Sequence, residues 1–279
     1  MSLSAQKTEA RPSQPSSPSL WQRVSYNVND TLVMAWRNLI RYVRLPQLLV
    51  FSTVQPVMFV LLFAFVFGGA IETPGTSYLN YLIPGVLVQA VLFGASQTTV
   101  GLAEDLSKGM VDRFRSLPMA RGAVLAGRTL ADSTRNVFVV LLMLVVSSII
   151  GFRFEGSILQ AVGAVALVVF FGFAFSWISA LIGLLVKDPE TAQAAGFVWI
   201  FPLVFASSAF VPVQTMPGWL RTFAEVQPIS VTVDAVRYLT SGGVAPGAAP
   251  SDVLWACLWA LGILAVFVPL AVAQYRRST

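Results

Sequence analysis

Of the chain's 279 residues, 56% are hydrophobic and 11% charged, with a net charge of +5 and a mean hydropathy of +0.74. A soluble domain carries about 25% charged residues, so this is the composition of a membrane protein. One cysteine, Cys257, and no histidine exclude disulfide frameworks, Cys/His zinc sites and His-based triads, and no GxxxxGK[ST] loop is present to hold a nucleotide. The basic excess is that of cytoplasmic membrane loops, not of a nucleic-acid binder.

Residues 1–28 read as a disordered cytoplasmic tail, rich in Ser, Pro and Gln over the first twenty and without an apolar run. The remainder, 29–279, reads as a single transmembrane domain. Asn29-Asp30 offers an N-cap for a helix of about fifteen residues. Leu32, Trp36, Leu39, Ile40 and Val43 fall on one side of it, and Arg37, Arg41 and Arg44 on another. A Trp-bearing apolar face opposite a basic one is the pattern of a helix lying in the membrane interface, against lipid headgroups. Pro46 separates it from the first long apolar stretch.

Stretches without charge mark the spans. They run for 27 residues between Arg44 and Glu72, 31 between Glu72 and Glu104, and 17 between Arg135 and Arg153. Three more hold 31 between Glu155 and Lys187, 30 between Glu190 and Arg221, and 23 between Asp252 and Arg276. A spanning helix needs about 20 apolar residues; the third stretch is short, but it is dense in apolar residues and its flanking arginines can snorkel. The expectation is an all-α integral membrane protein of six spans, near 48–69, 79–103, 135–152, 158–186, 192–211 and 252–273. Gln55-Pro56 marks an expected kink in the first. Fifteen Lys and Arg fall on one side of this layout and three, Arg153, Arg221 and Arg237, on the other. Both termini are therefore expected in the cytoplasm of a bacterial plasma membrane protein.

Ten charged residues crowd the 32 residues from Glu104 to Arg135, expected as a cytoplasmic loop. Within it Met110, Phe114 and Leu117 recur at helical spacing beside Val111, while Asp112, Arg113 and Arg115 point elsewhere. Ser107 reads as the N-cap of this short amphipathic helix and Pro118 as its stop. Outside, Val211–Ser251 holds Pro212, Met216-Pro217-Gly218-Trp219, Pro228 and Gly242-Gly243. Between these breakers WLRTFAEV and ISVTVDAVRYLT form two short amphipathic helices, neither long enough to cross, which could dip into the outer leaflet.

The six expected spans contain no ionisable side chain except at their margins, so no ion relay is apparent. Amides and hydroxyls remain. Gln89 and Ser96 share one face, as do Ser176 and Ser179; such groups join helices or, less commonly, touch a ligand, and Phe173 lies in an aromatic-rich run beside them. A membrane protein with no ion relay and no nucleotide loop, presenting an amphipathic cytoplasmic helix, would receive any energy for uphill transport through that helix.

The segment EDLSKGMVDRFRSLPMARGAVLAGRTLADSTRN resembles the cytoplasmic segment of ABC-2-type exporter permeases, in particular the daunorubicin/doxorubicin-resistance (DrrB-like) branch. FVPVQTMPGWLRTFAEVQPISVTVDAVRYLTSGG resembles the same family's segment before the last span, through Pro212, Met216, Pro217, Trp219, Pro228 and the Asp234/Arg237 pair. The likeness runs from about Leu32 to Arg276, with Lys108-Gly109-Met110 standing where many relatives have Arg-Gly-Thr followed by Glu. It implies an exporter permease that pairs with a second copy or a sister permease and moves an amphipathic drug, lipid or glycolipid. ATP and Mg would be bound by a separate ABC ATPase subunit and no cofactor by this chain. Met110, Val111 and Phe114 would sit in an ATPase groove, with Asp112, Arg113 and Arg115 at its rim and Ser107 and Leu117 flanking. The outer short helices would form a lid. A non-transporting scaffold or immunity protein that recruits a cytoplasmic partner is the alternative; a membrane-embedded enzyme lacks the clustered carboxylates, His or Cys to act with.

Overall fold

The computed structural model describes residues 20–44, 46–71, 73, 75–110, 121–186, 188–245 and 247–277. All regular structure among the described residues is helical. Helix α1 spans Leu20–Arg44 and so begins within the expected tail, ahead of Asn29. It buries Met34 and Ala35, and leaves Leu32, Val33 and Trp36 more than half exposed. The buried side seats on a glycine of α4 (Arg121–Ile150): a Cβ on Gly127 would stand 2.5 Å from Met34 Cβ and 2.8 Å from the Thr31 carbonyl oxygen. Only a residue without a side chain allows this approach.

Helix α2, Pro46–Leu62, carries Pro56 inside it and widens into a π turn over Phe63–Phe67. Helix α3, Tyr78–Ser107, starts at an N-cap where the Ser77 hydroxyl accepts from the Asn80 N–H at 3.3 Å. It is the axis of the molecule. Helices α4, α5 (Ile158–Val186) and the shorter α6 (Pro189–Val198) pack along it. Of its most apolar 18 residues, 78% are buried, which is why this helix lacks an amphipathic pattern.

Asp188 caps α6 by accepting the Thr191 N–H at 2.7 Å, and its hydrogen bonds from Thr191 hold its carboxyl below the usual carboxylate range. The stretch expected as one span over 192–211 is interrupted. Helix α6 ends at Val198, α7 covers Ile200–Phe205 after a turn at Trp199, and a further turn follows over 206–210. The two short amphipathic helices expected between Val211 and Ser251 are present as α8, Gly218–Val226, and α9, Pro228–Thr240. Helix α10, Pro250–Arg277, closes the fold. By length and composition α3, α4, α5 and α10 can each cross a membrane, and Ser52–Phe67 is a shorter apolar helix.

A helix that stops inside an apolar bundle strands its last carbonyls, and the chain supplies donors for them. Gln227 Nε2 donates to the carbonyls of Leu203 and Ala206 at 3.1 and 2.6 Å. Tyr78 and Tyr81 hydroxyls donate to Phe210 and Ser208 at 3.2 and 3.0 Å. Arg237, 5% exposed, gives Nη2 to the Ser208 carbonyl at 2.6 Å and Nε to the Tyr81 carbonyl at 3.0 Å. Its Nη1 pairs with Asp234 at 2.7 Å, and its guanidinium lies 3.5 Å over the Tyr81 ring. Gly85 of α3 admits the backbone of Ala209. One arginine thus ties α9, α3 and the turn after α7. Replacing Arg237 by Ala is expected to destabilise the protein by roughly 3 kcal/mol, and by Lys only partly less, since an ammonium cannot reach three directions in one plane. Thermal unfolding in detergent measures this.

Candidate functional site

The C-terminal half of α3 and the N-terminal half of α4 meet through a ladder of polar groups. On α4, Arg128, Asp132 and Arg135 recur at i, i+4 and i+7 and so share a face. On α3 the facing positions are Gly94, Thr98, Gly101 and Asp105, at the same spacing extended by one turn. Arg135 Nη2 donates to the Gly94 carbonyl at 2.7 Å and to Asn136 Oδ1 at 3.3 Å. The Thr98 hydroxyl donates to Asp132 Oδ2 at 2.5 Å. Arg128 Nη1 pairs with Asp105 Oδ2 at 2.9 Å, and Arg37 of α1 approaches the same oxygen at 4.0 Å. The two glycines make room for the two guanidinium groups: a Cβ on Gly94 would lie 2.9 Å from Arg135 Nη2, and one on Gly101 would overlap Arg128.

These charges correct the expectation of a loop from Glu104 to Arg135. Helix α4 begins at Arg121, so Arg128, Asp132 and Arg135 belong to a buried part of a long helix, with Asp132 and Arg135 only 2% and 4% exposed. Gly94 lies ~20 Å along α3 from Tyr81. The chain thus holds ionisable groups inside helices long and apolar enough to cross a membrane, paired with one another and with backbone as burial demands. The repeat common to Gly94/Gly101 and Arg128/Arg135 is the sequence signal that would have revealed them.

Beside the ladder lies a cavity of about 210 Å³ between α1, α2, α3 and α4. Gln55, Gln97, Glu104, Arg128, Asp132 and Arg135 supply its polar lining, while Pro56, Ala90 and Phe93 form an apolar end. Gln55 and Gln97 are exposed and stand at its mouth. An apolar groove of about 690 Å³ separates α4 from α5 and includes Leu141, Val162, Phe170 and Phe173. A cavity of about 350 Å³ near the start of α3 is lined by Asn80, Tyr81, Arg153, Gln214 and Arg237. Among the described residues no group of three or more His, Cys, Asp or Glu could hold a metal ion.

The residues singled out from sequence fall at several places in the fold. Ser107 belongs to the last turn of α3, where its hydroxyl donates to the Glu104 carbonyl at 3.0 Å; most of the helix it was expected to cap lies outside the described residues. Met110 is half-buried just beyond that end, whereas Val111, Asp112, Arg113, Phe114, Arg115 and Leu117 lie outside the described residues, as does the side chain of Arg41. Trp36 is 65% exposed, Arg37 turns inward to Asp105, and Arg44 is exposed at the end of α1. Gln89 and Ser96 are buried in α3. Ser96 and Ser176 both donate to carbonyls of their own helices, at Phe93 and Phe173, which is a helix-internal role. None of these three lines the polar cavity, and Phe173 opens on the apolar groove. Pro212 is buried, Met216 follows the 3-10 turn Val213–Thr215, Pro217 precedes α8, and Pro228 opens α9. Trp219 on α8 is 77% exposed, in line with Phe223 and Val226.

A run of phenylalanines passed over in the sequence also stands out. Phe63 of the π turn stacks on Phe210 at 4.6 Å, Phe210 on Phe205 at 5.1 Å and Phe205 on Phe201 at 4.3 Å, joining α2 to α7. The ladder carries the sharper expectation. Arg128→Ala leaves Asp105 buried with only a distant cation and should cost roughly 3 kcal/mol. Adding Asp105→Asn should return about half of that, because a buried amide costs less than an unpaired carboxylate. Paired thermal-unfolding curves of the single and double variants read both effects.

Residues 29–240 match the model of the ABC-2 type transporter family. The chain is 36% identical over 251 residues to the daunorubicin resistance ABC transporter permease protein DrrB1 of Streptomyces coeruleorubidus, covering 90% of this chain and 87% of the relative. It is 28% identical over 254 residues to the "Probable doxorubicin resistance ABC transporter permease protein DrrC" of Mycobacterium tuberculosis, covering 90% of each. To the doxorubicin resistance ABC transporter permease protein DrrB of the same species it is 30% identical over 172 residues, covering 62% of this chain and 60% of the relative. The matched span runs from α1 through α9 and so takes in the α1 seat on α4, the ladder and the Arg237 tie. With four helices long and apolar enough to cross a membrane, the chain is a multi-pass membrane protein that belongs to the ABC-2 type transporter family.

Proposed function

We propose that this chain is the transmembrane permease subunit of an ATP-driven exporter. It works with separate ABC ATPase subunits on the cytoplasmic side and with a second permease copy or sister permease. The family match over 29–240 is the observation that carries the reading. In it, Ser52–Phe67 and the broken segment α6–α7 complete six passes with α3, α4, α5 and α10, and both termini lie in the cytoplasm. A helix interrupted at membrane depth is tolerated where its freed groups are satisfied inside the protein, as Gln227 and Arg237 satisfy those after α7.

Helix α1 supports the cytoplasmic half of the proposal. Its exposed Leu32, Val33 and Trp36 suit the headgroup boundary, while its other side is fixed to α4 and its Arg37 faces Asp105. The segment from Met110 to Leu117 would be the point at which the ATPase pushes, directly beyond the Asp105–Arg128 pair. ATP and Mg would remain on the partner subunit. At the outer end α8, with Trp219 exposed, and α9, anchored by Arg237, would form the lid. The cargo would be an amphipathic drug, lipid or glycolipid, a class suggested by relatives named for daunorubicin and doxorubicin resistance.

Phe114→Asp tests the coupling role. The variant should insert and fold as the parent does, yet lose the ATPase that co-purifies with the parent from the native host, and lose at least about tenfold of the transport rate, because a charge in an apolar groove removes a central contact. Undiminished ATPase capture by the variant would end the assignment.

A further inference from the structure

We propose that the polar cavity between α1, α2, α3 and α4 binds the phosphate ester head of an amphiphile from the inner membrane leaflet. Most of its charged lining groups already have partners. Asp132 accepts from Thr98, Glu104 is paired with Lys108 at 3.2 Å, and Asp105 beneath the cavity is paired with Arg128. The acids of this region are therefore engaged. Arg128 differs: it is 9% exposed, it spends Nη1 on Asp105, and its Nε–H is buried without a hydrogen-bond partner. A guanidinium is a planar fork of donors, this one lines the cavity, and an oxyanion is the group that suits the donors Asp105 leaves over.

The shape supports an amphiphile rather than a free ion alone. Along α3 the lining passes from Glu104 and Gly101, through Gln97, to Phe93 and Ala90. The acids and Arg128 lie toward the end of the bundle where α1 sits, and beside Phe93 and Ala90 at the middle of α3 the charge is that of Arg135. A volume of about 210 Å³ is room for one headgroup, equivalent to roughly seven waters at ~30 Å³ each. Gln55 and Gln97 are exposed amides on otherwise apolar helices, placed where a headgroup would enter and able to donate to it. Gly101 keeps the Arg128 fork in place, since any side chain there would displace it. The two sources of this chemistry are a membrane phospholipid and soluble phosphate.

The inference rests on the proposed orientation only for the leaflet that supplies the ligand. Binding is read without ATPase or transport, so its failure would be distinct from failure of the exporter reading. The full-length chain is purified in uncharged detergent and titrated with dioctanoyl-phosphatidylglycerol, with dioctanoylglycerol as the phosphate-free control, and occupancy is followed by native mass spectrometry. The expected result is saturable binding of one phosphatidylglycerol per chain, with none of comparable affinity for dioctanoylglycerol. Arg128→Gln should weaken it by about tenfold or more through loss of a charge-assisted contact. Gln97→Leu, at an exposed position that leaves every ladder contact intact, should weaken it severalfold and guards against a folding defect in the first variant. Displacement by millimolar inorganic phosphate would show that the phosphate group alone is recognised; selective lipid binding that phosphate cannot displace would place the source in the membrane. Equal binding of the two lipids, or wild-type affinity in both variants, would overturn the proposal and leave the cavity to water.

Discussion

A polar group inside this bundle is costly unless it finds a partner, because a hydrocarbon surround offers neither donor nor acceptor. Two places carry that constraint. Near the start of α3, a helix that stops short leaves carbonyls at Leu203, Ala206 and Ser208, and Gln227, Tyr81 and Arg237 answer them. Toward its C-terminus, Arg128, Asp132 and Arg135 find Asp105, Thr98 and the Gly94 carbonyl. Both solutions use α3 as the common partner. That shared use accounts for its glycines: Gly85 admits a turn, and Gly94 and Gly101 admit guanidinium groups. A buried charge pair adds little net stability compared with apolar packing, so the ladder is better understood as fixing how α4 and α1 register on α3.

Much of the fold is legible in the amino-acid sequence. The bounds of α5 coincide with the expected 158–186, and α8 and α9 fall between the breakers Pro217, Pro228 and Gly242. Each of these elements is bounded by local chemistry, a charge or a proline, that needs no tertiary partner. The inner ladder is different. A charged residue in an apolar chain is ordinarily a marker of water, and counting uncharged residues from Arg135 assigns α4 too late a start. Its charges are stable inside only because α3 presents the matching row, a relation between two segments that a one-dimensional reading does not weigh. The interruption after Val198 is hidden for the same reason, since the donors that permit it come from Gln227 and Arg237. Of the site, the basic and apolar faces of α1 are visible in sequence, but not the turn of Arg37 toward Asp105.

The C-terminal end of α3 places three kinds of contact within a few turns of one another. Helix α1 seats on Gly127, Arg37 and Arg128 converge on Asp105, and Met110 begins the segment that leaves α3. In the proposed exporter, a displacement of that segment acts first on the Asp105 pair and through it on α1 and α4 together. Such an arrangement would make the interfacial helix a moving part of the transporter and not a passive anchor. It also sets the cavity, which shares Arg128 with the pair, in the path of that motion.

Fastening α3 at both ends has a consequence for the membrane itself. Tyr81 is held by Arg237 and Asp105 by Arg128, and the helix between them is unbroken, so the two polar layers stand ~36 Å apart at 1.5 Å per residue. That spacing cannot shrink without unpairing one end. A bilayer with a hydrocarbon core of ~30 Å and ~40–45 Å overall sets both layers within its headgroup regions, and a much thicker one would draw one of them into hydrocarbon. Hydrophobic mismatch makes lipid chain length a variable to which this molecule responds, at a cost of fractions of a kcal/mol for each ångström.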